Sequence, residues 1–149
     1  MYTKMLHWSL IEQIKYIRGF ADGEGTPIMN MGYKKKNGKL YHQWDRRIKL
    51  SNTDKTLLIT IKKMMDTVGI KSKIYLDHAA GTGRATKDCW ALLVLGRDNI
   101  ALFGKHVGFT EIAKAERMKK ILASYRKHGS ESRQGFSLYC GKRGKRKTL

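Results

Sequence analysis

The sequence predicts an α+β domain in which antiparallel strand pairs alternate with helices, in the order α-β-β-α-β-β-α-α. Three observations predict it. Apolar residues recur at helical spacing over 9–22 and again over 54–68, each time followed by glycine. Asn37-Gly38, the strongest short hairpin signal, separates two runs of alternating polarity. The chain has a single proline, Pro27, so its elements are long and continuous.

Length and charge bound the rest. A chain of 149 residues forms one domain and buries roughly 68–70% of its unfolded surface. We divide it into a domain over 1–128 and a basic C-terminal extension over 129–149. Thirty-one Lys+Arg against 12 Asp+Glu leave a formal charge of +19, which points to a polyanionic partner. Nucleic acid leads, ahead of an anionic membrane surface. No apolar run approaches the ~18 residues of a membrane span, and the N-terminus lacks the form of a secretion signal. A soluble, intracellular protein is expected, in a prokaryotic cytoplasm or an organelle. Cys89 and Cys140 lack zinc-ligand spacing and read as ordinary thiols, Cys89 buried in a strand. His7, His42, His78, His106 and His128 form no HxxxH or HNH-like cluster, so no histidine-based nuclease site is visible.

Residues 1–8 carry Tyr2, Met5, Leu6 and Trp8 and are expected to fold back on the body or a partner. Ser9 and Glu12 form a capping box, and Leu10, Ile14, Ile17 and Phe20 or Ala21 continue the helix. Within it Gly19 and Gly23 stand four apart, although glycine costs a helix roughly 1 kcal/mol relative to alanine. Small residues at that spacing let two helices approach closely. The helix ends at Glu24-Gly25, where the dipole's negative end disfavours a carboxylate unless a cation is near. The plainer alternative is a C-capping glycine with two solvated acids.

Pro27 opens a strand to Lys36, and the return strand runs from Lys39 to Ser51. Leu40, His42, Trp44, Arg46, Ile48 and Leu50 share one face; Tyr41, Gln43, Asp45, Arg47 and Lys49 share the other. The hairpin reaches on the order of 35–40 Å, about one turn of duplex. Arg reads guanine, Gln adenine and Asp can accept from cytosine, so this face suits DNA on so basic a protein; a solvated face is the alternative. Asp54 or Thr53 caps the next helix, whose stripe of Leu57, Leu58, Ile61, Met64, Met65 and Val68 reads as core, with Gly69 ending it. A second strand pair covers Ile70–Asp77 and Lys87–Leu95, with Lys71, Lys73, Tyr75 and Asp77 on the polar face. Gly81-Thr82-Gly83 precedes a strand and lacks Gly-Lys-Ser/Thr, so it makes a poor phosphate loop. Asp98 or Asn99 caps a short helix to His106, and Thr110 caps the last. Phe136, Leu138 and Tyr139 can dock locally, and Lys142-Arg143-Gly144-Lys145-Arg146-Lys147 is a mobile, phosphate-binding tail. Lys34, Lys36, Lys39, Arg84 and Lys87 complete the candidate DNA contacts.

Residues 17–25 resemble the LAGLIDADG motif of homing endonucleases: Ile17, Gly19, Phe20, Asp22, Gly23, Glu24 and Gly25 fall in pattern. Arg18 replaces the usual small residue, and Glu24 stands where many members have Asp. The element order extends the resemblance from Ser9 to Lys127. It implies an αββαββα core with a saddle-shaped antiparallel sheet in the major groove, an extra C-terminal helix, and motif helices at a central interface. One motif implies a homodimer joined through Ile17, Gly19, Phe20, Asp22 and Gly23. Gly108-Phe109-Thr110-Glu111 is the nearest approach to a second motif and lacks the double acid. The implied function is intron-encoded, site-specific cleavage of double-stranded DNA at a pseudo-palindrome, without a small-molecule cofactor. Two Glu24 carboxylates brought together repel unless cations neutralise them, and all-oxygen ligands suit Mg²⁺. The resemblance adds the Gly23 carbonyl as a metal ligand and leaves Asp22 as interface or ligand. It also suggests Asn52 as the water-ordering polar residue, and Lys55 and Lys114 as basic members of the site; the alternatives are a helix cap and solvated lysines. Two other classes stay open, an intron maturase or other binding module without cleavage, and a basic structural protein of a ribosome or nucleoid.

Overall fold

The structure, a computed structural model, describes residues 2–128 and 136–138. A 3-10 turn over Tyr2–His7 precedes α1 (Leu10–Glu24), β1 (Gly25–Lys36), β2 (Lys39–Asn52), α2 (Lys55–Asp66), β3 (Lys73–His78), β4 (Cys89–Leu95), α3 (Arg97–His106), α4 (Ile112–His128) and β5 (Phe136–Leu138). The predicted order holds, with β5 added. Cys140, Tyr139 and the tail over 142–147 lie outside the described residues.

The strands form one antiparallel sheet, β1-β2-β4-β3, and β5 joins β2. β1 and β2 pair along their whole length, from Gly25↔Leu50 to Lys36↔Lys39. Asn37 (φ 53°) and Gly38 (φ 77°) make the tight turn, both in the left-handed region that Asn and Gly tolerate. β4 pairs with β2 at 47–52, leaving the other half of that edge to β5, which pairs at 41–43. Covering the edge satisfies backbone groups that would otherwise invite a foreign strand.

The helices pack against one face. Ile48, Leu50, Leu92 and Val94 from the sheet meet Ile17, Ala21, Leu58, Ile61, Met65, Ile100, Phe103 and Ile121, all fully buried. Each such side chain contributes about 1.5–3 kcal/mol. The α2 stripe is core, as its spacing predicts. From Asn30 to Leu40 every residue is exposed, because the helices cover the other end of the hairpin and this end projects beyond them. Arg46, on the core face of β2, is buried with its guanidinium 4.7 Å from the Trp44 ring and 4.0 Å from the Tyr125 ring, which ties α4 to the sheet.

Several local expectations change. α1 keeps its capping box but runs to Glu24, and its buried positions are Gln13, Ile17 and Ala21. Gln13 donates to the carbonyls of Leu6 (3.2 Å) and Trp8 (3.0 Å), and Tyr2 donates to Asp54 (2.5 Å), so residues 2–8 dock on their own domain. Leu10, at the free end of the helix, is half exposed. β3 begins at Lys73, three residues later than expected. The N–H of Ile70 closes a capping bond to Met65 O (3.1 Å), with Gly69 at φ 82°, and the N–H of Lys71 is taken by Asn99 Oδ1 (3.0 Å). Lys71 therefore sits beside α3, off the strand. β4 starts at Cys89, which is half-buried. Asp54 caps α2 as expected, accepting from Leu57 N at 3.1 Å. α3 starts after Gly96 without a side-chain cap, and Thr110 does not cap α4; Glu111 does, accepting from Lys114 N at 3.2 Å. Among the described residues no helix is long and apolar enough to cross a membrane.

Candidate functional site

The terminal glycine of α1 shows how the acidic tip is made. A Cβ on Gly25 would lie 2.5 Å from Ala21 O and 2.8 Å from Leu50 Cδ2. Only a residue without a side chain lets the helix turn directly into β1. Glu24 is thereby left exposed on the last turn, at the end of the sheet opposite the hairpin tip.

The two acids of the stretch have different surroundings. Asp22 accepts from Thr110 N (2.9 Å), from the Thr110 hydroxyl and from Glu111 N (3.3 Å), just ahead of α4. Partial burial pushes its pKa up, but these bonds and the nearby Lys114 outweigh it and hold the carboxyl below its ordinary value. Lys114 Nζ donates to the carbonyls of Asp22 (2.5 Å) and Ala21 (3.4 Å), placing a cation at the negative end of α1. Arg18 Nε donates to Val107 O at 2.5 Å. The segment Val107–Glu111, which contains the stretch Gly108-Phe109-Thr110-Glu111 that came nearest to a second motif, is thus the clamp on the C-terminal half of α1. Sequence reasoning missed Arg18, Thr110 and Glu111 as partners; only the Arg18 departure hinted at them.

Gly19 and Gly23 face open space, with nothing within 4 Å of an added Cβ. They form an exposed groove along α1, flanked by a ladder of Trp8, Tyr16 and Phe20 with ring centroids 5.8 and 6.5 Å apart. Ile17, expected at the dimer interface, is instead fully buried in its own domain, because it lies opposite Gly19 on the helix. Phe20 is half-buried against the core.

Asn52 and Lys55 lie at the same end of the sheet as Glu24. Asn52 Oδ1 accepts from Asp54 N (2.8 Å), and Lys55 Nζ stands 4.1 Å from the Trp90 ring centroid. No hydrogen bond or ion pair joins either residue, or Lys114, to Glu24 among the described residues. Nor is there a group of three or more His, Cys, Asp or Glu that could hold a metal. One chain therefore offers the right donor type for Mg²⁺, the Glu24 carboxylate and the Gly23 carbonyl, but too few donors. A second Glu24, the second Gly23 carbonyl and substrate oxygens would complete the set. Asp22 fits poorly as a ligand, since both its oxygens are engaged.

The sheet face away from the helices carries the predicted polar row. The register puts Lys34 beside Tyr41 and Lys36 beside Lys39, and Gln43, Asp45, Arg47 and Lys49 follow along β2. Lys73 and Tyr75 join that face across β4. Thr26, Ile28 and Asn30 pair with Lys49, Arg47 and Asp45 on the same face and were missed, although strand alternation marks them. Arg47 pairs with Asp45 (3.1 Å) and Lys49 with Asp77 (2.7 Å). Tyr75 also donates to Asp77, at 3.2 Å. Partial burial raises the Asp77 pKa, yet Lys49 above all holds it below the usual value. Arg84 and Lys87 are exposed on the β3–β4 loop. There the N–H groups of Gly81 and Ala80 go to Ala85 O and Asp88 Oδ1 (both 2.8 Å), leaving no cradle for a phosphate. Lys71, off the strand, does not share this face.

The fold has counterparts among known proteins. A family model described as a LAGLIDADG-like domain matches residues 12–108. A search of curated proteins finds no match. Among solved structures, the archaeal intron-encoded homing endonuclease I-Vdi141I complexed with DNA aligns at a TM-score of 0.55 and 16% identity, over 80% of this chain and 72% of that one. The LAGLIDADG homing endonuclease I-GzeII in complex with its DNA target aligns at 0.50 and 20% identity, over 78% of this chain and 37% of that one. Mesophilic variants of the homing endonuclease I-DmoI align at 0.48 and 23% identity, over 72% of this chain; this chain spans about half the length of theirs, 47%.

Proposed function

Since the chain belongs to the LAGLIDADG-like family, we propose that it is a site-specific DNA endonuclease that acts as a homodimer and makes one cut in each strand of a pseudo-palindromic site. The observation that carries this reading is the division of labour between the two acids. Asp22 is engaged in holding α4, whereas Glu24 is exposed beside an open Gly19–Gly23 groove. A second copy packed along that groove by a two-fold axis brings two Glu24 carboxylates together.

The Glu24 carboxylates and Gly23 carbonyls of the two copies would hold Mg²⁺, which when bound activates water and stabilises charge on a scissile phosphate. The protein's own residues do the rest. Lys114, on the carbonyls that precede Gly23, balances charge at the helix end and steadies the Glu24 backbone. Asn52 orders water at the same end of the sheet, and Lys55 adds positive charge there. The row from Lys34 to Lys49, with Lys73, Tyr75, Arg84 and Lys87, takes the duplex along the exposed sheet face.

The test is a cleavage assay with Mg²⁺, Ca²⁺ or EDTA on DNA carrying the intron-free form of the gene that hosts this reading frame. Paired cuts with Mg²⁺ that vanish with EDTA are expected. Tight, salt-dependent binding without cutting under any metal would reject the endonuclease in favour of a maturase or binding module.

A further inference from the structure

We propose that Asp77 is a positioning residue for base recognition, holding the Lys49 amine and the Tyr75 hydroxyl together as the reader of one G·C pair in each half of the target. The inference rests on the DNA-binding reading above and names what one part of that sheet face reads. Its basis is a carboxylate engaged through both oxygens. Lys49 Nζ lies 2.7 Å from Asp77 Oδ2, and the Tyr75 hydroxyl donates to Asp77 Oδ1 at 3.2 Å. His78 Nε2 stands 3.5 Å from Oδ2 on a mostly exposed ring. The Asp77 side chain is only 13% exposed, against 40% for Asp45, which pairs with Arg47 on its own strand. Lys49 on β2 and Asp77 on β3 thus meet across β4. There the register sets Leu93 between Lys49 and Lys73, and Ala91 between Ser51 and Tyr75. Leu93 and Ala91 point away from the helices yet are buried, so the side chains of this face lie down over them.

The donors and acceptors left over name the ligand. Although partial burial raises it, the Asp77 pKa is held below the ordinary value by Lys49, so the carboxyl is ionised at neutral pH and can only accept. The Tyr75 proton is therefore committed to Asp77, which leaves the hydroxyl oxygen as an acceptor towards the groove. The Lys49 ammonium has three N–H donors; Asp77 takes one and two remain. Two donors beside an acceptor match the major-groove edge of G·C, where guanine offers N7 and O6 and cytosine its N4 amino group. An A·T pair puts the adenine amino group in the middle of that edge, against the second Lys49 donor. Without Asp77, Lys49 is a point charge on a flexible stem, drawn to the nearest phosphate whatever the sequence. Asp77 thus exchanges non-specific affinity for discrimination. Lys49 pairs with Thr26, two residues past Glu24, so the base pair it reads lies in the inner part of each half-site.

The test compares the parent with Asp77→Asn, Lys49→Met and Tyr75→Phe on duplexes carrying the cleaved sequence with each base pair changed singly. The quantity read is the affinity ratio between the original pair and its replacement, which a uniform loss of binding or of folded protein leaves unchanged. The parent should prefer G·C at one inner position of each half-site by roughly 5- to 150-fold, the span for one bidentate base contact. Asp77→Asn should lose most of that preference and keep those at other positions; Asp77→Ser gives the same reading should the asparagine variant fold poorly. Replacing that guanine by 7-deazaguanine, which lacks the N7 acceptor, should weaken the parent and leave Asp77→Asn and Lys49→Met unaffected. Tyr75→Phe, which removes the acceptor, should lose part of the preference and keep the 7-deazaguanine effect. A G·C preference that survives Asp77→Asn, or a loss that falls on an A·T pair, would overturn the proposal while leaving the DNA-binding reading intact. A parent that binds no duplex would overturn both.

Discussion

Asp22 and Lys114 each complete the other's helix. The Asp22 carboxylate accepts from Thr110 N at 2.9 Å just before α4, and Lys114, one turn into α4, donates to the Asp22 carbonyl at 2.5 Å. An acid near the positive end of one helix and a cation at the negative end of another are each favourable, by about 0.3–1 kcal/mol at an exposed site. The pair sets the angle at which α1 delivers Glu24.

Asp22→Asn should destabilise the domain at neutral pH by about 0.3–1 kcal/mol, the range for a negative charge near the N-terminus of a helix. Because the folded pKa lies below the ordinary 3.8, the contribution is complete above that value and is lost as pH falls through the folded pKa. Urea unfolding of parent and variant should therefore converge in acid. A gap of constant size from neutral pH to pH ~3 would mean that charge plays no part.

Lys114→Met removes the amine and keeps the stem. It should cost about 0.3–1 kcal/mol of stability and slow cleavage, because the cation that supports the end of α1 carrying Glu24 is lost. Lys114→Arg should restore stability. If the methionine variant melts early yet cuts at the parental rate, Lys114 is a helix cap and nothing more.

Glu24→Gln should lower cleavage by on the order of 10³-fold or more, since a metal site contributes several kcal/mol to the transition state. DNA binding should persist. Parallel loss of binding and cutting, measured by gel shift and single-turnover cleavage, would assign the acid a structural role.

Gly19 separates the domain from the dimer. Gly19→Ala has open space in one chain and should stabilise α1 by roughly 0.5–1 kcal/mol, while Gly19→Leu should block a second helix from the groove. Sedimentation should then find the leucine variant monomeric, with cleavage abolished. A leucine variant that stays dimeric and active would place the interface elsewhere.

Asp77→Asn releases the Lys49 amine from its 2.7 Å ion pair. Non-specific DNA affinity should rise, with the salt slope steepening by about 0.9 for one added phosphate contact. An unchanged slope would show that Lys49 faces base edges or solvent.

Local chemistry made much of this molecule legible. Ser9 and Glu12 cap α1, Asn37-Gly38 turns the hairpin, Asp54 caps α2, and the α2 stripe is buried, because each depends on neighbours within a few residues. The exposed acid at Glu24 and the glycine it needs after it were likewise written in a single nonapeptide. Contacts between distant segments were not. The start of β3 depends on Asn99 taking the Lys71 amide, 28 residues away, and Asp22 meets Thr110 across 88 residues.

The sequence by itself determined the order of elements, the polar and apolar faces of the strands, the excess of positive charge and the acid-bearing helix tip. Those features follow from periodicity, turn chemistry and composition. Tertiary structure alone decided which of the two acids is tied down, that Ile17 faces its own core, that Lys49 is already paired, and that β5 occupies the free edge of β2. Each of these depends on which elements become neighbours when apolar surface is buried, and the spacing of residues along the chain does not encode that adjacency.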